Sequence, residues 1–152
     1  MTNKKDYSVD KKLFSGNHCD IYVVSKKDNK TEKFICKVFD NDHCKNAFNE
    51  ILVLTKLKDY NNISKLIDYW IDDNIYLILK KYDYFDLFTY IYKHKQLSEF
   101  DTKIIFIKLI KLIEICHENY IIHKDIKCEN LIISHQITFY DQGKQVSLID
   151  LY

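Results

Sequence analysis

The 152-residue chain predicts an α+β fold, with strands concentrated in its first half and helices in its second. Two observations carry that expectation. Up to about residue 80, apolar residues alternate with polar ones or run in short blocks bounded by Asn, Asp and Lys. From Asp86 to about Glu118 they recur at helical spacing. The punctuation is unusual, because Pro is absent and Gly occurs only at 16 and 143, so polar turn formers mark the breaks.

Tyr7 to Phe14, Ile21 to Ser25 and Phe34 to Phe39 read as strands, the latter two separated by the turn-forming KKDNK at 26 to 30. A helix follows from about Asp42 or His43 to Leu57, with Ala47, Ile51, Leu54 and Leu57 on one face. Lys65 to Ile71 and Ile75 to Lys80 form a hairpin around Asp72-Asp73-Asn74, which completes five strands. Asp86 to Lys93 is a short amphipathic helix. Ser98 caps a longer one, with Glu99 and Asp101 in its first turn complementing the helix dipole.

Between Lys103 and Cys116 this longer helix is apolar on most sides, leaving a narrow polar stripe of Lys108, Lys111 and Glu114. Such a helix expects cover. A last hairpin pairs Leu131 to Ile133 with Val146 to Ile149 across a polar loop containing Gly143.

With 47% apolar and 30% charged residues the composition excludes overall disorder. A net charge of +1, dispersed in Lys-Lys pairs, gives no electrostatic case for nucleic acid or an anionic membrane as partner. Every basic residue is Lys, and Ile, Asn, Tyr and Lys recur throughout, a bias of AT-rich codon usage such as that of a large DNA virus in its host. Any cationic role falls to Lys, which lacks the planar fork of Arg. Five cysteines without Cys-x-x-Cys spacing suggest neither a disulfide framework nor a zinc site, and no apolar run approaches the roughly 18 residues of a membrane span. A soluble protein in the reducing cytoplasm is expected.

The stretch Ile121 to Ile133, IIHKDIKCENLII, interrupts an apolar run with His123, Lys124, Asp125, Lys127, Glu129 and Asn130. Unsatisfied and buried, such groups would cost roughly 1 to 3 kcal/mol each. An irregular loop can instead point Asp125, Lys127 and Asn130 into one cleft. A carboxylate that accepts a hydroxyl proton, an ammonium that neutralises phosphate and an amide oxygen that ligates Mg²⁺ are the groups phosphoryl transfer needs.

Here the chain resembles the eukaryotic-type protein kinase family, whose catalytic loop H-R-D-L-x-x-x-N is matched by HKDIKCEN at 123 to 130. The resemblance implies a kinase-like small lobe of five antiparallel strands and one helix, followed by the first helices and catalytic loop of the large lobe. In those terms residues 5–82 are small lobe and hinge, and residues 83–152 the start of the large lobe. It also implies ATP and Mg²⁺ as cofactors and a protein hydroxyl as acceptor, with Lys127 pointing to the Ser/Thr class.

Residue by residue, Asp125 and Lys127 would be catalytic. FICKVF resembles the strand carrying the phosphate-binding lysine, Lys37, and NEILVLTKL the helix carrying its partner, Glu50. LILKKYDYFDLF resembles the last strand of the small lobe and the hinge, with Leu79 as gatekeeper, backbone groups of Lys80 to Tyr82 facing adenine and Asp86 reaching the ribose or capping a helix. Asn130 and Asp150 would bind the metal, Asp150 standing in VSLIDLY where the family has D-F-G.

Three departures accompany the match. Against G-x-G-x-x-G-x-V, the segment from Phe14 to Ile21 keeps Gly16, with Phe14 and Cys19 in the outer glycine places and Ile21 in the Val place, so the phosphate cradle is expected to be weaker. The connection from Lys37 to Glu50 is short for the family. The sequence stops at Tyr152, before any activation segment or A-P-E motif, so a truncated domain or a piece of a split gene is expected. The long helix, residues 98–119, would then show Ile104, Ile105, Leu109, Leu112 and Ile113 incompletely covered, favouring self-association or a partner. Two functions follow from the residues: a Ser/Thr kinase-like phosphotransferase, or a kinase-like module that binds nucleotide or a partner without turnover.

Overall fold

Strands β1 (Tyr7–Ser15), β2 (Asp20–Lys26) and β3 (Lys33–Phe39) form consecutive antiparallel hairpins, as their Val and Ile content favours. The structure is a computed structural model that describes residues 6–83, 85–135 and 144–148. After β3 the Asp40 carboxylate accepts the His43 N–H at 3.1 Å and tightens Asn41–His43 into a 3₁₀ turn. That turn runs straight into helix α1 (Cys44–Lys56). Strands β4 (Leu66–Ile71) and β5 (Ile75–Lys80) complete a sheet in the order β1-β2-β3-β5-β4.

This sheet is apolar on both faces. One face gathers Tyr7, Val24, Phe34, Cys36, Tyr76 and Ile78 into a core cluster, with Trp70 stacked between Tyr7 and Tyr76. Burial pushes the Cys36 thiol up to about 12, which keeps it protonated and inert. The other face holds Lys37 beside Ile21 and Leu77, cross-strand neighbours in one row. Strand β5 lies between β3 and β4, so its run from Ile75 to Leu79 is buried throughout.

The chain divides into two compact units, Met1–Thr55 with Lys65–Tyr82, and Lys56–Ser64 with Asp83–Tyr152. In the second, a two-residue strand β6 (Phe85–Asp86) pairs with β7 (Leu131–His135), which pairs with β8 (Lys144–Leu148). Helix α2 (Leu87–His94) follows β6, and helix α3 (Glu99–Glu118) lies against β8. Ser98 Oγ accepts the Asp101 N–H at 3.0 Å, the expected N-cap, a contact type worth about 1 kcal/mol. At the other end of α3 the Lys56 ammonium donates to Asn119 O at 2.6 Å, while Asn119 Nδ2 reaches the Tyr60 hydroxyl at 3.4 Å. These bonds tie 56–64, read in sequence as part of the first segment, to the second unit.

The five apolar residues expected to be incompletely covered on α3 are so in part, and the exposed side extends beyond them. Ile105 and Leu112 are buried and Ile104, Leu109 and Ile113 half-buried, whereas Phe100, Phe106, Ile107 and Ile110 are exposed. A helix apolar nearly all round has no periodic signal that distinguishes its inner from its outer side. No helix among the described residues is long and apolar enough to cross a membrane.

Candidate active site

In the first unit the sheet and α1 bring Lys37 and Glu50 together. Glu50 shares the buried stripe of α1 with Ala47, Val53 and Leu54, so the packing that seats the helix also carries the carboxylate inward. Lys37 Nζ donates to Glu50 Oε1 at 2.7 Å, with the residues 4% and 2% exposed. Two charges this deep are tolerated only as a pair. The short connection does not prevent the contact, because the 3₁₀ turn leads into α1 without an intervening loop.

Gly16 lies in the β1–β2 turn, where its N–H donates to Cys19 O at 3.0 Å, and Ile21 is half-buried beside Lys37. Leu79 is buried. Lys80 is exposed at the end of β5, and its N–H donates to Lys65 O at 2.9 Å, so that donor is committed to the sheet. Its ammonium stands 5.3 Å from the Tyr82 ring centroid, and burial raises the Tyr82 hydroxyl pKa.

In the second unit the stretch from Lys124 to Glu129 is held at both ends, by buried Ile121 and His123 before it and buried Asn130 and Leu131 after it. Between them Lys124 takes φ 65°, a left-handed conformation that a non-glycine residue enters at a cost of roughly 1 to 2 kcal/mol. Beyond that turn the Asp125 N–H donates to His123 Nδ1 at 3.2 Å, giving His123 a structural role. Asn130 Nδ2 donates to Asp125 O at 2.8 Å and to Asp125 Oδ2 at 3.0 Å, and Lys127 Nζ lies 2.7 Å from the same Oδ2. Asp125, Lys127 and Asn130 are thus one hydrogen-bonded cluster. The Lys127 bond, then that of Asn130, holds the Asp125 carboxyl below the usual carboxylate range.

Asp86 caps α2: Oδ1 accepts the Thr89 N–H at 2.7 Å and Oδ2 the Thr89 hydroxyl at 2.8 Å. Each oxygen retains a second lone pair, so capping and a sugar contact are compatible. Asp150 lies outside the described residues. Among those described, no group of three or more His, Cys, Asp or Glu side chains could hold a metal ion. An amide oxygen such as that of Asn130 suits Mg²⁺, which takes few protein ligands and completes its shell with water and phosphate. Among the described residues Asn130 supplies that donor type.

A five-stranded antiparallel sheet with one helix, followed by helices and an Asp-x-Lys-x-x-Asn loop, defines a kinase-like α+β class. The family model "Protein kinase domain" matches residues 7–151, and the chain belongs to that family. It is 32% identical over 134 residues to "Calcium-dependent protein kinase 5" of Plasmodium berghei, covering 85% of this chain and 24% of that protein. It is 26% identical over 156 residues to "Serine/threonine-protein kinase SIK1" of Mus musculus, covering 93% and 20%. It is also 32% identical over 136 residues to "Probable serine/threonine-protein kinase MARK-C" of Dictyostelium discoideum, covering 84% and 17%. The chain thus spans at most 24% of the length of these relatives.

Proposed function

We propose that the chain acts as an ATP-dependent Ser/Thr protein kinase-like phosphotransferase, moving the γ-phosphate of ATP to a protein hydroxyl. The observation that carries this reading is the cluster at Asp125, Lys127 and Asn130, anchored by buried residues on both sides. In this reading residues 5–82 are small lobe and hinge, and residues 83–152 the start of the large lobe.

The Asp125 carboxylate, ionised well below neutral pH, accepts the substrate hydroxyl's proton as the hydroxyl oxygen bonds to the γ-phosphorus and the bond from that phosphorus to the β-phosphate oxygen breaks, releasing ADP. Lys127 offsets charge on the transferred phosphoryl group, and Lys37, oriented by Glu50, holds the remaining phosphates. Gly16, Ile21, Leu79, Lys80, Tyr82 and Asp86 serve nucleotide binding. Asn130 and Asp150 would hold Mg²⁺, which when bound supplies further neutralising charge. The free cysteines support a reducing, cytoplasmic setting.

The reading is tested by transfer of labelled γ-phosphate to a generic protein acceptor. The natural chain is expected to label it, and Lys37→Met and Asp125→Asn are expected to fall to background; equal labelling by all three would overturn the assignment. A second reading, a module that binds nucleotide without turnover, draws support from the Gly16 N–H, which is already bonded inside its turn. Measured nucleotide binding with no transfer would select it.

Exposed Phe106, Ile107 and Ile110 further support self-association through α3. Size-exclusion chromatography would then show a species larger than one chain, and a concentration-independent monomer would remove this partner.

A further inference from the structure

We propose that Phe14 is a nucleoside-binding residue, presenting an aromatic ring to the purine at a hairpin that has lost its bare glycine backbone. The inference rests on the nucleotide-binding reading above and starts from the sheet register. Lys12 pairs with Tyr22 and Phe14 with Ile21, so Leu13 is an extra residue in β1. Such a bulge re-aims the side chains that follow it. In a regular strand Phe14 would have fallen on the opposite face; the bulge places it in the row that continues through Ile21 to Lys37. The face that carries the buried lysine therefore also carries this ring.

The ring is not part of the core. Phe14 is 59% exposed, and a Cβ built on Gly16 would come within 2.9 Å of Phe14 Cε1. Its edge thus lies over the glycine, on the surface a bare turn would offer to a ligand. The Gly16 N–H is bonded to Cys19 O, so this position supplies no donor to phosphate. What the hairpin presents on the Lys37 face is an apolar π surface suited to a planar base, while phosphate recognition falls to Lys37.

Titration of the natural chain with adenosine and with ATP, followed by calorimetry, tests the assignment. Phe14→Ala is expected to weaken both ligands by the same factor, about tenfold, as loss of one base–aromatic stack does. Phe14→Tyr is expected to restore both, and the double change Lys37→Met with Glu50→Leu, which leaves no lone buried charge, to weaken ATP more than adenosine. Because Phe14 is exposed, the alanine variant should keep the natural far-UV circular dichroism and unfolding midpoint. Adenosine binding that is unchanged or stronger in Phe14→Ala would overturn the role of Phe14 alone. Failure of the natural chain to bind either ligand would overturn the nucleotide-binding reading with it.

Discussion

The Lys37–Glu50 and Asp125–Lys127 pairs have the same nitrogen–oxygen distance, 2.7 Å, and opposite surroundings. The first joins side chains 5% and 3% exposed; the second joins Lys127 at 47% to Asp125 at 34%. Distance alone therefore says little about what an ion pair does. Buried charges are costly to separate but contribute little beyond a well-packed apolar pair, so losing one partner of the first costs far more than the intact pair supplies. The second stays in water's reach, where it adds little stability and both groups remain accessible to reactants.

The largest effect is expected from breaking the buried pair on one side. Lys37→Met or Glu50→Ala leaves an uncompensated buried charge and should cost about 3 to 5 kcal/mol in urea unfolding. The double change Lys37→Met with Glu50→Leu should recover most of that loss. A double variant as unstable as either single one would show that the site needs charge for folding.

A smaller effect is expected at Asn130, which is buried and donates twice to Asp125. Asn130→Ala should cost about 1 to 3 kcal/mol by the same unfolding measurement, since the loop loses bonds that position it. A change at Lys127 should be smaller still: Lys127→Ala is expected to shift stability by no more than about 1 kcal/mol while lowering phosphotransfer. A large loss of stability there would erase the contrast between the two pairs.

The contrast also has a pH signature. Folding lowers the Asp125 pKa, chiefly through Lys127, so the carboxylate's stabilising contribution is present above the ordinary carboxylate range and is lost as pH falls through the lowered value. In a carbon-13 titration Asp125 should have its midpoint below 3.8, and Lys127→Ala should move it up toward that value. An unmoved midpoint would mean that the Lys127 contact does not persist in solution.

Much of this was legible because local chemistry and tertiary packing agree. Val and Ile alternation marks the strands, and the caps at Asp86 and Ser98 are side-chain bonds made within three residues of their source. That Asp125, Lys127 and Asn130 come together was legible from residue types and spacing, and the structure joins them in one hydrogen-bonded cluster. Features set by pairing were not. Strand β6 is two residues whose only mark is their partner β7, and the bulge at Leu13 exists only in the register against β2. The bonds that draw 56–64 toward Asn119 join residues as many as 63 positions apart. Phe14 read as a lost glycine; its place in the row that runs through Ile21 to Lys37 depends on a bulge that has no pattern of its own.

Double-mutant cycles on both pairs in one unfolding series measure whether two ion pairs of equal length do different work. The expected coupling is about 3 kcal/mol or more between Lys37 and Glu50. Between Asp125 and Lys127 it should be below about 1 kcal/mol. Equal couplings, or a larger one at Asp125 and Lys127, would mean that burial does not separate the two pairs.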